Sequence, residues 1–300
     1  MIIGLQIAVV QLFRGVDMQE TILGSSDSHS AASVPEHYKP ASRPTQFMVR
    51  SILAASFILV VFPSVDLTIS RVFADGHGFP LSENPFLKAV RDINRQGLIY
   101  LLLFMVLTIG LHAFLPRKFS FCPPHKALFV LLSFLIGPLV TVQFLKNTIG
   151  RARPREIVEF GGTADFTPVW QYAAACRHSC SFPSGEAAVA AATLSLIVFA
   201  PSQWRSVATV VAVPILFFVS FNRVIFGAHF LSDVIVAWGL VLCLMMWLWR
   251  RISSQAVAID NGVKQFGTRF YARRAHDNSP SNLDKADENS GTHPTRRNGQ

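Results

Sequence analysis

Three clusters of polar residues interrupt an otherwise apolar chain: Lys146-x6-Arg153-Pro154, Phe182-Pro183-Ser184-Gly185-Glu186 and Arg223-x5-His229-x3-Asp233. Charged side chains beside apolar runs are costly, so each is a functional candidate. Lys146 supplies a point charge, and Arg153 and Arg223 supply planar forks that match the non-bridging oxygens of a phosphate. Ser184 and Gly185 stand just before a predicted helix, where backbone N–H groups and the positive end of the dipole favour an anion. Gly185 also lets that backbone approach closely. His229 and Asp233 are one helical turn apart and share a face. A carboxylate in that position can hold the tautomer and orientation of an imidazole acting as nucleophile or base. Taken together, these residue types suit phosphoryl transfer.

Singly, each has a plainer reading. Lys and Arg at span ends usually snorkel to headgroups, and a lone His near an interface is usually just hydrogen-bonded. Two such spaced motifs in order on one face arise by chance in roughly one chain in a thousand of this length. The set therefore carries more weight than any member.

The elements that position these clusters are membrane helices. Of 300 residues, 51% are apolar and 15% charged, with a mean hydropathy of +0.38. A soluble domain carries about 25% charged residues, so both a soluble enzyme and a disordered chain are excluded. A span needs about 20 mostly apolar residues, and six segments qualify: 51–70, 97–115, 127–145, 186–201, 206–226 and 230–249. The expected fold class is all-α, a six-helix membrane bundle over 49–251. Residues 1–48 are expected to be mostly disordered, as is a basic tail over 252–300. The fourth span is short and Ala-rich, which suits packing through small residues. Residues 84–95 read as an amphipathic helix, either on the outer interface or a simple connector. The opening apolar stretch is too short to span and lacks a signal peptide's basic region and cleavage site. It reads as an interfacial segment or an over-extended start.

Placing both termini in the cytoplasm puts 17 Lys and Arg inside and 10 outside, in keeping with the positive-inside tendency. That orientation brings all three clusters out on the outer face. The net charge of +9 includes the basic tail and comes with no nucleic-acid fold signature, so no nucleic-acid partner is expected. Cys122 and Cys243 lie in or beside apolar runs and read as packing residues.

The three motifs resemble the tripartite signature of the type 2 phosphatidic acid phosphatase superfamily, from Lys146 to Asp233, and the six-span arrangement extends the likeness to about residues 50–250. The resemblance implies a six-helix bundle with its site at the outer membrane face, no metal or other cofactor, and a phosphorylated membrane lipid as substrate. It implies His229 as the nucleophile forming a phosphohistidine, with Asp233 orienting it. Lys146, Arg153, Ser184, Gly185 and Arg223 would bind the phosphate.

Two positions depart from the family pattern. Asn222 replaces the Ser before the third-motif Arg, and Glu186 replaces the His that closes the second motif and protonates the leaving oxygen. A Glu can act as general acid only with a raised pKa, and the neighbouring cations work against that. His178 in the same outer loop is the substitute candidate. Cys176 and Cys180 are close enough for a disulfide, which a Gram-negative periplasm permits. A zinc site from Cys176, His178 and Cys180 is the rival, without an evident fourth ligand. With the Ser-Phe-Pro-Ser-Gly-Glu-Ala run, this loop resembles the alphaproteobacterial branch that includes lipid A 4′-phosphatases. The expected setting is the bacterial inner membrane, with the site facing the periplasm. Undecaprenyl diphosphate or phosphatidylglycerol phosphate hydrolysis, or non-catalytic binding or transport of a lipid phosphate, are the alternatives.

Overall fold

A computed structural model describes residues 42–76, 78–114, 122–173, 175–176 and 180–277. The elements it contains are almost entirely helical. Helix α1, Ser42–Val61, and α2, Ser64–Phe73, form a broken pair bent by 80°. Pro63 sits at the break, where its ring and missing N–H end the first helix. Helix α3 runs Pro85–Phe114. Helices α4, Pro124–Phe134, and α5, Gln143–Ile149, are joined by a π-helical stretch, Leu135–Val142. That stretch holds Pro138, whose absent donor a wider turn accommodates. Helix α6, Gly185–Thr193, continues as a 3₁₀ segment to Phe199. Helices α7, Ser202–Ile225, α8, Leu231–Ser253, and α9, Ala256–Asp277, complete the order.

Among the described residues, four segments are long and apolar enough to cross a membrane, or five counting the bent pair as one. The expected fourth span falls short. Its nine α and six 3₁₀ residues rise about 25 Å, against a hydrocarbon core of about 30 Å. Ala187, Ala188, Ala190, Ala191 and Ala192 of α6 are all fully buried, so this helix is a plug through which α7 and α8 pack closely. Around it lie Phe129, Phe134, Val213, Trp238, Leu242 and Met245. Phe57, Leu103 and Phe144 instead stay about two-thirds exposed on the outer faces, a surface that suits hydrocarbon.

Three expectations about boundaries change. Residues 84–95 are not a separate interfacial helix. Asn84 Oδ1 caps the amides of Phe86 and Leu87, and the helix then runs on unbroken to Phe114. The segment read as disordered to residue 48 is helical from Ser42. The tail read as disordered from 252 forms α9, laid across the ends of α3 and α4. Asp260 accepts from the backbone amide of His125 and contacts its ring, and Phe270 meets Phe114 edge-on. Gly267 lies where any Cβ would collide with the Ala113 carbonyl, so this crossing depends on glycine. Residues 1–41 and 278–300, including the opening apolar stretch, lie outside the described residues.

Candidate active site

At the end of the bundle opposite α9, five element termini meet. Helix α5 ends at Gly150, whose left-handed φ of 67° closes the helix. A Cβ there would press on the Ala173 carbonyl. The chain then descends along the site, with Ser181 N–H donating to the Arg151 carbonyl at 2.8 Å and Ser184 N–H to the Asp233 carbonyl at 3.2 Å. The first motif is tied to the third by Arg155 N–H donating to the Gly227 carbonyl at 3.0 Å.

His229, 1% exposed, follows the C-terminus of α7 and sits just before α8. Its Nδ1 lies 2.7 Å from the Ser181 carbonyl oxygen. A carbonyl only accepts, so Nδ1 carries a proton, and Nε2 is the nitrogen left for attack on a substrate. Asp233 Oδ2 is further off, at 3.7 Å. The group that fixes the imidazole tautomer is therefore the Ser181 carbonyl. Asp233 works one step behind it, accepting from Ser181 Oγ, from Phe230 N–H at 2.8 Å and from Arg151 Nη1 at 2.6 Å.

Arg151 is the hub of a buried network. It is fully buried and also reaches Asp66 Oδ2 at 2.9 Å, Ser232 Oγ at 2.8 Å and the Thr167 carbonyl at 2.7 Å. Its guanidinium lies 4.2 Å from the centroid of the Phe230 ring. Asp66, on α2, accepts in turn from the Ser232 backbone and hydroxyl. Two carboxylates and one guanidinium thus lock the bent first pair to the start of α8.

The cationic phosphate-binding candidates gather around Glu186. Arg223 is buried, with its Nη2 3.5 Å from Glu186 Oε1. Its Nε and Nη1 have no hydrogen-bond partner. Lys146 and Arg153 lie within electrostatic reach of Glu186. The backbone and side chain of Arg153 also contact Glu156, at 3.1 and 3.9 Å. Ser184 is the N-cap of α6 and accepts from Ala187 N–H, which leaves the Gly185 and Glu186 amides without intrahelical acceptors. A Cβ at Gly185 would stand 3.8 Å from Lys146 Nζ, between the ammonium and the helix N-terminus.

Glu186 has its carboxylate on three partners. Oε1 accepts from Arg95 Nη2 at 2.5 Å and faces Arg223, while Oε2 lies 3.5 Å from His229 Nε2. In this arrangement its oxygens accept and no leaving oxygen could draw a proton from them. His178 lies outside the described residues. Cys176 and Cys180 are joined by a disulfide, Cα atoms 5.5 Å apart. Among the described residues, no group of three His, Cys, Asp or Glu side chains is placed to hold a metal ion.

Four residues at this site lay outside the sequence motifs as read. Arg151 and Asp66 did carry a signal, since charges in or beside apolar runs need partners. Arg95 was hidden on a helix read as either interfacial or a connector. Ser181 acts through its carbonyl, which no side-chain pattern reports.

Residues 126–255, which hold every motif residue, match the PAP2 superfamily. The matched stretch covers less than half of the chain. Among curated relatives, this chain is 38% identical over 107 residues to a Rhizobium leguminosarum protein named lipid A 4′-phosphatase, covering 35% of this chain and 46% of that one. A Francisella tularensis subsp. novicida protein of the same name is 25% identical over 198 residues, or 65% of this chain and 88% of that one. The alignment with the Rhizobium relative thus spans less than half of that protein's length. Among solved structures, the Bacillus subtilis transmembrane PAP2-type phosphatidylglycerolphosphate phosphatase aligns with a TM-score of 0.45 and 23% identity over 69% of this chain and 94% of that one. The matched stretch begins within α4 and ends in the turn between α8 and α9, so α1 to α3, with Asp66 and Arg95, lie outside it.

Proposed function

We propose that this chain is a membrane lipid phosphatase that hydrolyses a phosphate monoester of lipid A, the 4′-phosphate, through a phosphohistidine on His229. The observation that carries this reading is the pairing of an oriented nucleophile with a buried guanidinium suited to an anion, both set against the one Glu186 carboxylate. The Ser181 carbonyl orients His229, and buried Arg223 keeps two donors, Nε and Nη1, without a hydrogen-bond partner. In the first step the Nε2 lone pair attacks phosphorus and the bond to the sugar oxygen breaks. Arg223, Lys146, Arg153 and the amides opening α6 take up the developing charge. In the second step water attacks the phosphohistidine, the N–P bond breaks, and phosphate leaves. The names of the relatives support lipid A as substrate, and the PAP2 signature supports the histidine route. The site is read as facing the periplasm from a bacterial inner membrane, with both termini cytoplasmic.

The leaving sugar alkoxide needs a proton, and the candidates are Glu186 and His178. Glu186→Gln losing turnover while His178→Ala keeps it would assign the donor to Glu186. The reverse would assign it to His178. Glu186 standing as an acceptor favours a second reading: a diphosphate such as undecaprenyl diphosphate, whose leaving phosphate is stable without a donor. Phosphate release by purified protein from lipid A and from undecaprenyl diphosphate, each against His229→Ala, tests both. Release from lipid A that His229→Ala abolishes supports the first reading. Release confined to the diphosphate supports the second.

A further inference from the structure

The resting site already holds an anion. The carboxylate of Glu186 contacts Arg223 Nη2 and His229 Nε2, the donor and the nucleophile that a substrate phosphate must reach. A phosphate dianion and this carboxylate cannot share that space, since like charges a few ångströms apart repel strongly. The backbone of Glu186 is pinned, because its carbonyl accepts from Asn94 Nδ2 at 3.2 Å. Only the side chain is left to move. It has somewhere to go: a cavity of about 640 Å³ opens on its α3 side, lined by Asn94, Arg95, Leu98, Gly185, Glu186 and Val189 among others. Leu98, Val189 and most of the rest are apolar, so a carboxylate swung that way has one strong partner, Arg95, already on Oε1 through Nε and Nη2. The Arg95 side chain is 54% exposed and long enough to follow.

We infer that Glu186 is an exchangeable internal ligand of the phosphate seat and that Arg95, outside all three motifs, is the positioning residue that draws it off His229 when phosphate enters. The inference rests on the phosphatase reading of the same site. Arg95 touches neither the phosphate nor the reacting nitrogen in this scheme. It sets how often the seat is vacant. A seat vacant in one molecule in ten weakens the apparent affinity about tenfold relative to the vacant form.

The test uses the full chain purified in detergent, with orthovanadate as probe of the seat and phosphate release from lipid A measured alongside. Glu186→Gln removes the competing charge and is expected to tighten vanadate about tenfold. Arg95→Met leaves Glu186 on Arg223 and His229. It is expected to weaken vanadate and raise KM several-fold, with a smaller change in kcat and partial recovery in Arg95→Lys. The deciding arm is Arg95→Met combined with Glu186→Gln, which is expected to bind vanadate as tightly as Glu186→Gln alone. Equal weakening by Arg95→Met in both backgrounds would make Arg95 a direct anion ligand or a general field effect, and would overturn the inference. So would unchanged vanadate binding in Glu186→Gln. Vanadate binding needs no turnover, so the two readings fail separately. Exchange without phosphate release from any lipid sinks the phosphatase, and phosphate release without exchange sinks the latch.

Discussion

Replacing Arg151 with Met removes the only cation that contacts both Asp66 and Asp233 among the described residues. Both carboxylates are at most 2% exposed, so neither can be rescued by water without opening the site. Removing one partner of a buried pair costs about 3–5 kcal/mol, and here one deletion orphans two charges. At roughly 2–4 °C per kcal/mol for a chain of this size, that is a fall of about 6–20 °C in Tm. Thermal unfolding of the detergent-purified protein is the assay. Adding Asp66→Asn to Arg151→Met neutralises one orphan and is expected to recover part of the loss. Because Asp233 also holds Ser181 Oγ and the Phe230 amide, kcat should fall even in molecules that remain folded. An Arg151→Met protein melting within about 2 °C of wild type, or a double variant less stable than the single, would refute the network as drawn.

His229→Ala is expected to remove nearly all turnover, and Asp233→Asn to cost less, because the Ser181 carbonyl still holds Nδ1; equal losses would contradict that division of labour. Vanadate should inhibit and EDTA should leave activity intact, whereas loss in EDTA with rescue by Mg²⁺ would require another mechanism. A thiol label applied to spheroplasts should reach Cys176 and Cys180 only after reduction, and labelling without reductant would remove the bridge. Burial opposes ionisation of Asp260, but its bonds with His125 prevail and hold it below the ordinary carboxylate range. Its stabilising effect is therefore full above the unfolded value of about 3.9 and is lost as pH falls through the lower folded value. The Tm gap between wild type and Asp260→Asn should shrink over that acid range, and a constant gap would contradict the pairing.

Lys146, Arg153, Arg223, His229 and Asp233 were legible in the sequence because their spacings fall within single turns or at span ends, where local geometry dictates position. The Arg151–Asp66 pair was not, because its partners are 85 residues apart and only tertiary packing joins them. The start of α3 was misread because Lys88, Arg91, Asp92 and Arg95 make it look like a surface segment. In the fold those charges are absorbed by Glu83, by each other and by Glu186, so the helix continues without a break. Helix α9 has too little apolar character to announce itself. It is held by the Gly267 crossing and by Asp260 on His125, contacts that no window of its own sequence contains. At α6 an Ala-rich run is apolar enough to suggest a crossing, and the helix it forms is shorter than a full span and packed among its neighbours.

The most direct test of the central claim is a mass spectrum of lipid A from cells with this protein, without it, and with His229→Ala in its place. The account predicts lipid A one phosphate lighter, at the 4′ position, only where the wild-type protein is present. Lipid A carrying its full phosphate complement in all three, with the wild-type protein folded and in the membrane, would contradict it.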